Sequence, residues 1–337
     1  MSQFRRLHHV LTVLALSCVF QWAAAGPLDG TKPVVVAVID SGVVSNDPEL
    51  ATVLLPGYDM VAAPANGRGG RSTNATPDDL GSGCEGGSGQ NALKMHGTEV
   101  SRLLLANSPA DANAQYAGIA IVPVRVHNGC RIVRRDMLDA MAWAAGFHVD
   151  GQPDNENPAR IINLSLAGGG RICGPDLQAM IQKLTARNIF VVVAAGNSFH
   201  KTLREPANCE GVIAVGAVDS DNRIADYSAL DPRIDVYAYG GERLSSRRAA
   251  SRDGQSQSYD LAGFGNGKFG NYGVCVGTSF ATPIVAGHLA RWTSDNPGKP
   301  LSAFKAAIGN ATVALPASPD CADCVARALV KTGATRL

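Results

Sequence analysis

The chain is poor in aromatic and in charged residues for its length. Of 337 residues, 6% are aromatic and 18% are charged, and basic and acidic residues nearly balance at a formal net charge of +1. Such a charge gives no electrostatic attraction to nucleic acid or to an anionic membrane, so the sequence predicts neither as a partner. The hydrophobic share of 45% excludes a disordered chain and suffices for a large core.

Beyond its N-terminal region, the chain lacks any apolar run long enough to cross a bilayer, which takes about 20 residues. A shorter apolar run over 10–20 follows Arg5 and Arg6 and precedes Ala23-Ala24-Ala25. This arrangement is typical of a secretory signal peptide, which we predict over 1–25. A single membrane anchor and a lipoprotein site at Cys18 are the alternatives. We expect a secreted or periplasmic protein without a membrane anchor after cleavage.

Cysteine is sparse, and removing Cys18 with the predicted signal peptide from the eight cysteines leaves seven. Export to an oxidising compartment would let these pair, and an odd number leaves at least one without an intramolecular partner. Cys321 and Cys324 form a lone CxxC, with no second cluster at a spacing that suits zinc. We therefore predict no metal centre here. The other five are Cys84, Cys130, Cys173, Cys209 and Cys275.

Apolar runs alternate with helix-like segments along the chain. Short continuous apolar runs are typical of strands buried on both faces of a parallel sheet; these are 34–39, 119–126, 161–166, 189–194 and 212–218. Helices are predicted over 98–105, 135–145, 176–187 and 282–293, the last with Pro283 in its first turn. The alternation predicts an α/β layered fold. Polar, glycine-rich stretches predict loops over 62–90, 150–158 and 240–273.

Four polar side chains stand at the ends of predicted strands or at the starts of helix-like segments. Asp40 follows the first apolar strand, and Asn197 follows a buried strand on a glycine turn. His96 and Ser279 each stand just before a helix-like segment. Taken singly, each also suits an ordinary turn or cap residue. A helix N-terminus equally suits a nucleophile, because its backbone N–H groups and dipole favour developing negative charge.

Taken together and in order, these motifs resemble those of the subtilisin-like serine proteases, the subtilases. The motifs are Ile39-Asp40-Ser41-Gly42, His96-Gly97-Thr98, Ala194-Ala195-Gly196-Asn197 and Gly277-Thr278-Ser279-Phe280-Ala281-Thr282-Pro283. The order Asp, His, Ser is the one already known for subtilisin. The resemblance implies a three-layer subtilisin-like α/β fold, with a mostly parallel central sheet flanked by helices. It further implies one monomeric peptidase domain over 26–337 that acts on protein or peptide substrates.

The resemblance also implies a role for each motif residue. Asp40, His96 and Ser279 would form the catalytic triad, and the Asn197 amide would join the Ser279 N–H in the oxyanion hole. The reaction would pass through an acyl-enzyme and require no cofactor. Small pocket walls lead us to expect a large apolar side chain before the cleaved bond. The implied substrate-binding residues are Ser165, Leu166, Ala167, Gly168, Ala194, Ala195 and Gly196.

Several features depart from the family pattern. Glu99 stands where the family often has a second histidine, and 237–240 replaces its usual Ala-Pro-Gly segment. The arginine-bearing stretch that follows, up to Cys275, is either a solvated loop or a lid that tunes substrate choice. Between the predicted cleavage site and Asp40 there is no room for the N-terminal propeptide of most secreted members. These departures support one alternative, a catalytically silent subtilisin-fold protein that uses the groove to hold a partner.

Two structural expectations also depend on the resemblance. Disulfide-bearing secreted members imply the pairs Cys84–Cys130 and Cys173–Cys209. Many members bind calcium for stability, and Glu49 stands where several of them carry a carboxylate. Structural calcium is therefore compatible with the sequence, although it supplies no complete set of ligands.

Overall fold

A nine-stranded sheet forms the centre of the molecule. The computed structural model describes residues 32–62, 71–72, 95–108, 118–127, 131–197, 202–241, 276–311, 313–314 and 327–328. Its strands are β1 (Val34–Asp40), β2 (Tyr58–Asp59), β3 (Ile119–Arg125), β4 (Ile161–Leu164), β5 (Phe190–Ala194), β6 (Ile213–Val218), β7 (Val236–Tyr239), β8 (Val313–Ala314) and β9 (Arg327–Ala328). They lie in the order β2-β3-β1-β4-β5-β6-β7-β9-β8, and only β8 and β9 pair antiparallel.

Helices cover both faces of this sheet. They are α1 (His96–Ala106), α2 (Arg134–Ala144), α3 (Pro175–Thr185), α4 (Thr278–Asp295) and α5 (Leu301–Ala311). One apolar cluster joins Val36 and Val38 of β1 to α1, α4 and α5, and the other joins Ala37 and Ile39 to α2 and α3. Successive β1 residues therefore enter opposite cores, which explains an apolar run without polar alternation. The predicted three-layer α/β fold is confirmed.

The five predicted strands all exist, with ends that differ by one or two residues. The largest difference is at 161–166, where β4 ends at Leu164 and the chain leaves the sheet. Four strands and one helix were missed: β2, β7, β8, β9 and α5. The predicted loop at 150–158 contains neither helix nor strand.

The predicted start of the fourth helix was wrong. Helix α4 begins at Thr278, so Ser279 lies in its first turn and Pro283 lies inside it. Proline has no N–H, and the Ser279 carbonyl thereby loses its usual donor one turn along the helix. The Ser165 hydroxyl donates to that carbonyl instead, at 2.8 Å. The chain after β4 thus compensates for the internal proline.

The predicted disulfide between Cys173 and Cys209 is confirmed. The predicted pair Cys84–Cys130 lies outside the described residues, as do Cys321, Cys324 and the predicted signal peptide. The same is true of 242–275 and of most of 62–90. Within the described ranges, every helix is too short or too polar to cross a membrane.

Candidate active site

A cavity of about 420 Å³ opens at the carboxyl ends of neighbouring strands. Strand β1 ends at Asp40, and the chain leaves β3, β4 and β5 towards His127, Ser165 and Asn197, all of which line this cavity. Parallel strands bring their carboxyl ends to one edge of a sheet, and polar residues at strand ends gather there. His96 and Ser279 line the same cavity from the first turns of α1 and α4.

The Asp40 carboxylate fixes the His96 ring. His96 Nδ1 lies 2.8 Å from Asp40 Oδ1, which also accepts the Ser41 N–H at 2.7 Å. With Nδ1 donating to Asp40, Nε2 is the ring nitrogen left to accept a proton. The Ser41 hydroxyl accepts the Gly97 N–H at 3.0 Å. A Cβ on Gly97 would lie 2.3 Å from the Gly42 carbonyl oxygen, so only glycine permits this contact.

The surroundings of His96 favour its protonated form. Burial opposes the imidazolium, but the charge and hydrogen bond of Asp40, together with the charge of Glu99, outweigh it and raise the pKa of His96. The Phe280 ring packs edge-on against the imidazole, with ring centroids 5.3 Å apart. The ring is therefore held on one side by a carboxylate and on another by the residue after Ser279.

Ser279 lies at the positive end of α4. Its backbone N–H belongs to the first turn, where amides have no acceptor within the helix. Among the described residues, Ser279 and His96 share the cavity without a direct hydrogen bond. Hydrogen bonds between a nucleophile and its base are often longer in the absence of substrate. The arrangement thus places a hydroxyl, an imidazole and the Ser279 backbone N–H around one space.

Asn197 is oriented by the turn that precedes Ser279. Its Oδ1 accepts the Thr278 N–H at 2.8 Å and the Thr278 hydroxyl at 3.0 Å. The Thr278 hydroxyl in turn accepts the Gly196 N–H at 3.0 Å. Because Oδ1 is occupied, the Nδ2 amide is the donor left for a ligand. A Cβ on Gly277 would lie 2.7 Å from Nδ2, so glycine leaves the amide its room.

Most of the predicted substrate-binding residues line the cavity, and one does not. Ala194 is the last residue of β5 and is fully buried away from the cavity. The predicted residues that do line it are Ser165, Leu166, Ala167, Gly168, Ala195 and Gly196. Sequence reasoning missed Ser41, His127, Ile132, Thr202, Arg204 and Thr278 as lining residues. His127 could have been found, because it directly follows the predicted strand 119–126.

The residues around Glu49 do not fit a calcium ion. Its neighbour Asp47 is already committed: Oδ1 accepts the backbone N–H groups of Glu49 and Leu50, and Oδ2 accepts the Arg102 guanidinium. Arg102 therefore supplies the positive charge that a cation would bring. Over the described ranges, His, Cys, Asp and Glu side chains form no group of three or more that could hold a metal ion.

Comparison with known families identifies the chain. A sequence model of the subtilase family matches residues 31–330. The chain belongs to the subtilase family. This subtilase is 34% identical over 270 residues to an extracellular basic protease of Dichelobacter nodosus and 37% identical over 265 residues to an extracellular protease of Xanthomonas campestris pv. campestris. Each alignment covers 76% of this chain but only 42% and 43% of the relatives, so the chain spans less than half of their length.

Solved structures agree with the fold of this subtilase. A protease from Pseudoalteromonas arctica is 30% identical, and the match covers 89% of both chains with a TM-score of 0.69. A cold-adapted subtilisin-like serine proteinase, at 20% identity and a TM-score of 0.60, supports the fold alone. The sheet with helices on both faces is thus the arrangement found in these proteins.

Proposed function

We propose that this subtilase is a secreted serine endopeptidase, with its peptidase domain over 26–337, and that it hydrolyses peptide bonds through Asp40, His96 and Ser279. One observation carries the proposal: the Asp40–His96 hydrogen bond of 2.8 Å faces the cavity that Ser279 and Asn197 also line. The similarity to two proteases described as extracellular supports both the activity and the export. No cofactor takes part in the chemistry.

Each group has a distinct task in the reaction. His96 Nε2 takes the proton of the Ser279 hydroxyl while Oγ attacks the scissile carbonyl carbon. Asp40 stabilises the resulting imidazolium through Nδ1. The proton then passes from His96 to the leaving amine, and the peptide bond breaks to leave an acyl-enzyme on Ser279. Water, activated by His96 in the same way, releases the acid and restores the serine.

The negative oxygen of the tetrahedral intermediate needs donors that are already in place. The Asn197 amide and the Ser279 N–H are two such donors, and the dipole of α4 adds to them. Thr278 keeps Asn197 in position through two hydrogen bonds to Oδ1. Removal of one oxyanion donor typically lowers turnover by about 10²–10³-fold.

A fluorophosphonate probe tests the proposal on the purified chain. We expect covalent labelling of Ser279 and cleavage of an unfolded protein substrate, and we expect Ser279→Ala to abolish both. The matched control is Ser302→Ala, which removes an exposed hydroxyl of α5 and should label like the wild type. Folded protein that neither labels nor cleaves would refute the proposal. Peptide binding without turnover, unaffected by Ser279→Ala, would instead identify the groove as a silent binding site.

A further inference from the structure

A cationic side chain lines the cavity beside the small residues predicted to bind substrate. Ala167, Gly168 and Gly196 line the cavity together with Ser279. These three residues are too small to fill it. Arg204 lines the same cavity and is half-buried. The sequence alone led us to expect a large apolar partner for these walls, and Arg204 is the residue that this expectation did not include.

Arg204 has no carboxylate partner among the residues that the structure describes. Within the described ranges, its guanidinium makes one hydrogen bond, from Nη1 to the Gly169 carbonyl oxygen, and this bond is long at 3.5 Å. Asp40 is the acid that lines the cavity, and its carboxylate is bound to His96. Burial removes water from the guanidinium, and this desolvation is unfavourable. Without an acidic partner, no ion pair offsets it.

The adjacent Glu205 does not neutralise the charge of Arg204, because both of its carboxylate oxygens already accept hydrogen bonds from other residues. Glu205 Oε2 accepts Arg134 Nη1 at 2.7 Å and the Gly170 N–H at 3.0 Å, while Oε1 accepts the Gly174 N–H. Burial opposes the carboxylate form, but these donors outweigh it and lower the pKa of Glu205. Glu205 is therefore ionised, buried and paired away from Arg204.

The backbone around Arg204 is held on both sides. The Leu203 N–H donates to Asp231 at 3.0 Å, and the Asn208 N–H donates to the Arg204 carbonyl at 3.2 Å. The disulfide to Cys209 closes the same segment onto the chain after β4. Because the backbone is fixed before substrate arrives, ligand binding requires ordering of the Arg204 side chain alone.

We propose that Arg204 selects substrates with an acidic side chain, glutamate or aspartate, immediately before the cleaved bond. A carboxylate entering between the small walls would pair with the guanidinium, whose planar fork matches two carboxylate oxygens. This replaces the large apolar side chain that the sequence led us to expect. The inference rests on the proposed peptidase activity and names the class of peptide that the activity takes.

The experiment uses peptides that differ only at the residue before the cleaved bond: glutamate, glutamine, phenylalanine or lysine. We expect the wild-type protein to cleave the glutamate peptide with a kcat/KM about tenfold above that of the glutamine peptide, because the two differ only in charge. Lysine should be the poorest substrate. Raising the salt concentration should reduce the glutamate-to-glutamine ratio, since an accessible ion pair is screened.

Variants of Arg204 separate charge from shape. Arg204→Gln should bring the glutamate-to-glutamine ratio close to one, and Arg204→Glu should make lysine a better substrate than glutamate. Arg204→Lys keeps the charge without the fork and should give an intermediate ratio. The control is Arg223→Gln, which makes the same charge change in an exposed turn and should retain the wild-type ratio.

The outcomes distinguish this inference from the proposed function. A wild-type ratio near one, or a ratio that Arg204→Gln leaves unchanged, overturns the role of Arg204 while cleavage and Ser279 labelling stand. Absence of labelling and of cleavage of every peptide refutes the peptidase proposal itself. The wild-type ratio alone decides the matter if the Arg204 variants do not fold.

Discussion

His96 lies near two buried carboxylates, and only one of them touches it. Asp40 holds the ring, while Glu99 follows three residues later in α1, with Oε1 3.9 Å from Arg102 Nη1. Burial raises the pKa of Glu99; the charges of Asp47 and Glu49 add to this, while those of Arg102 and His96 oppose it. The family often has a histidine at this position. Compared with those members, Glu99 adds one negative charge to the site of this chain.

Replacing Glu99 by glutamine should shift the acid limb of the pH–activity profile to lower pH. In the proposed mechanism His96 must be neutral to accept the Ser279 proton, so activity rises as pH increases through the pKa of His96. The Glu99 charge raises that pKa, and its removal should lower it. The measurement is kcat/KM against pH with a peptide of constant charge.

The control for this prediction is Glu156→Gln, which removes an exposed acid that contributes to the pKa shift of neither His96 nor Glu99. Its profile should match that of the wild type. An unmoved acid limb in Glu99→Gln would mean that the Glu99 charge does not reach the imidazole.

At the scale of elements, the first turn of α4 depends on a contact from the chain after β4. Pro283 cannot donate to the Ser279 carbonyl, and the Ser165 hydroxyl does so instead, with Asn163 Nδ2 donating to that same hydroxyl at 3.0 Å. The strand end and the helix start are thus joined directly at the serine. A substitution in either element should therefore affect the stability of the other.

Ser165→Ala should lower the free energy of unfolding by about 1–3 kcal/mol, because it removes the donor to the part-buried Ser279 carbonyl and the acceptor of the buried Asn163 amide. Pro283→Ala supplies a new backbone N–H to the same carbonyl, so it should reduce the cost of Ser165→Ala in the double variant. The measurement is urea unfolding in a Ser279→Ala background, which excludes self-digestion. Strictly additive effects of the two substitutions would contradict this account of Ser165.

The helices and strands show which features of the structure could be predicted from the sequence. Runs such as 119–126 were found because a strand buried on both faces is apolar at every position. The early start of α4 was missed, because Gly277 and Ser279 carry no apolar periodicity and Pro283 suggested a first turn. Arg204 was not singled out, since its environment depends on where the Glu205 carboxylate points. Short-range patterns predicted elements and motif residues, whereas the partners of charged side chains required the tertiary structure.

At the scale of the whole molecule, one covalent link joins two segments that shape the cavity. The disulfide between Cys173 and Cys209 spans 36 residues and connects the chain after β4 to the chain after β5. Its formation requires an oxidising compartment, which agrees with the predicted export. The stability of these two segments therefore depends on an oxidising environment.

The double variant Cys173→Ser/Cys209→Ser should lose about 3–4 kcal/mol of unfolding free energy, the usual cost of opening a loop of this size. Thermal unfolding of the Ser279→Ala form, with and without reductant, measures it. Reductant should lower the Tm of the protein with this disulfide by more than it lowers the Tm of the double variant. Equal stability of the two proteins under oxidising conditions would contradict the prediction.

Helix α4 packs against the sheet and α1, and it carries Ser279, which comes after strands β1 to β7 in the sequence. Asp40 and His96 are therefore synthesised before Ser279, and the proposed base meets the proposed nucleophile only once α4 has packed against the sheet. A chain synthesised only as far as β7 carries the proposed acid and base without the proposed nucleophile. The proposed activity therefore requires that α4 has been synthesised and has packed against the sheet.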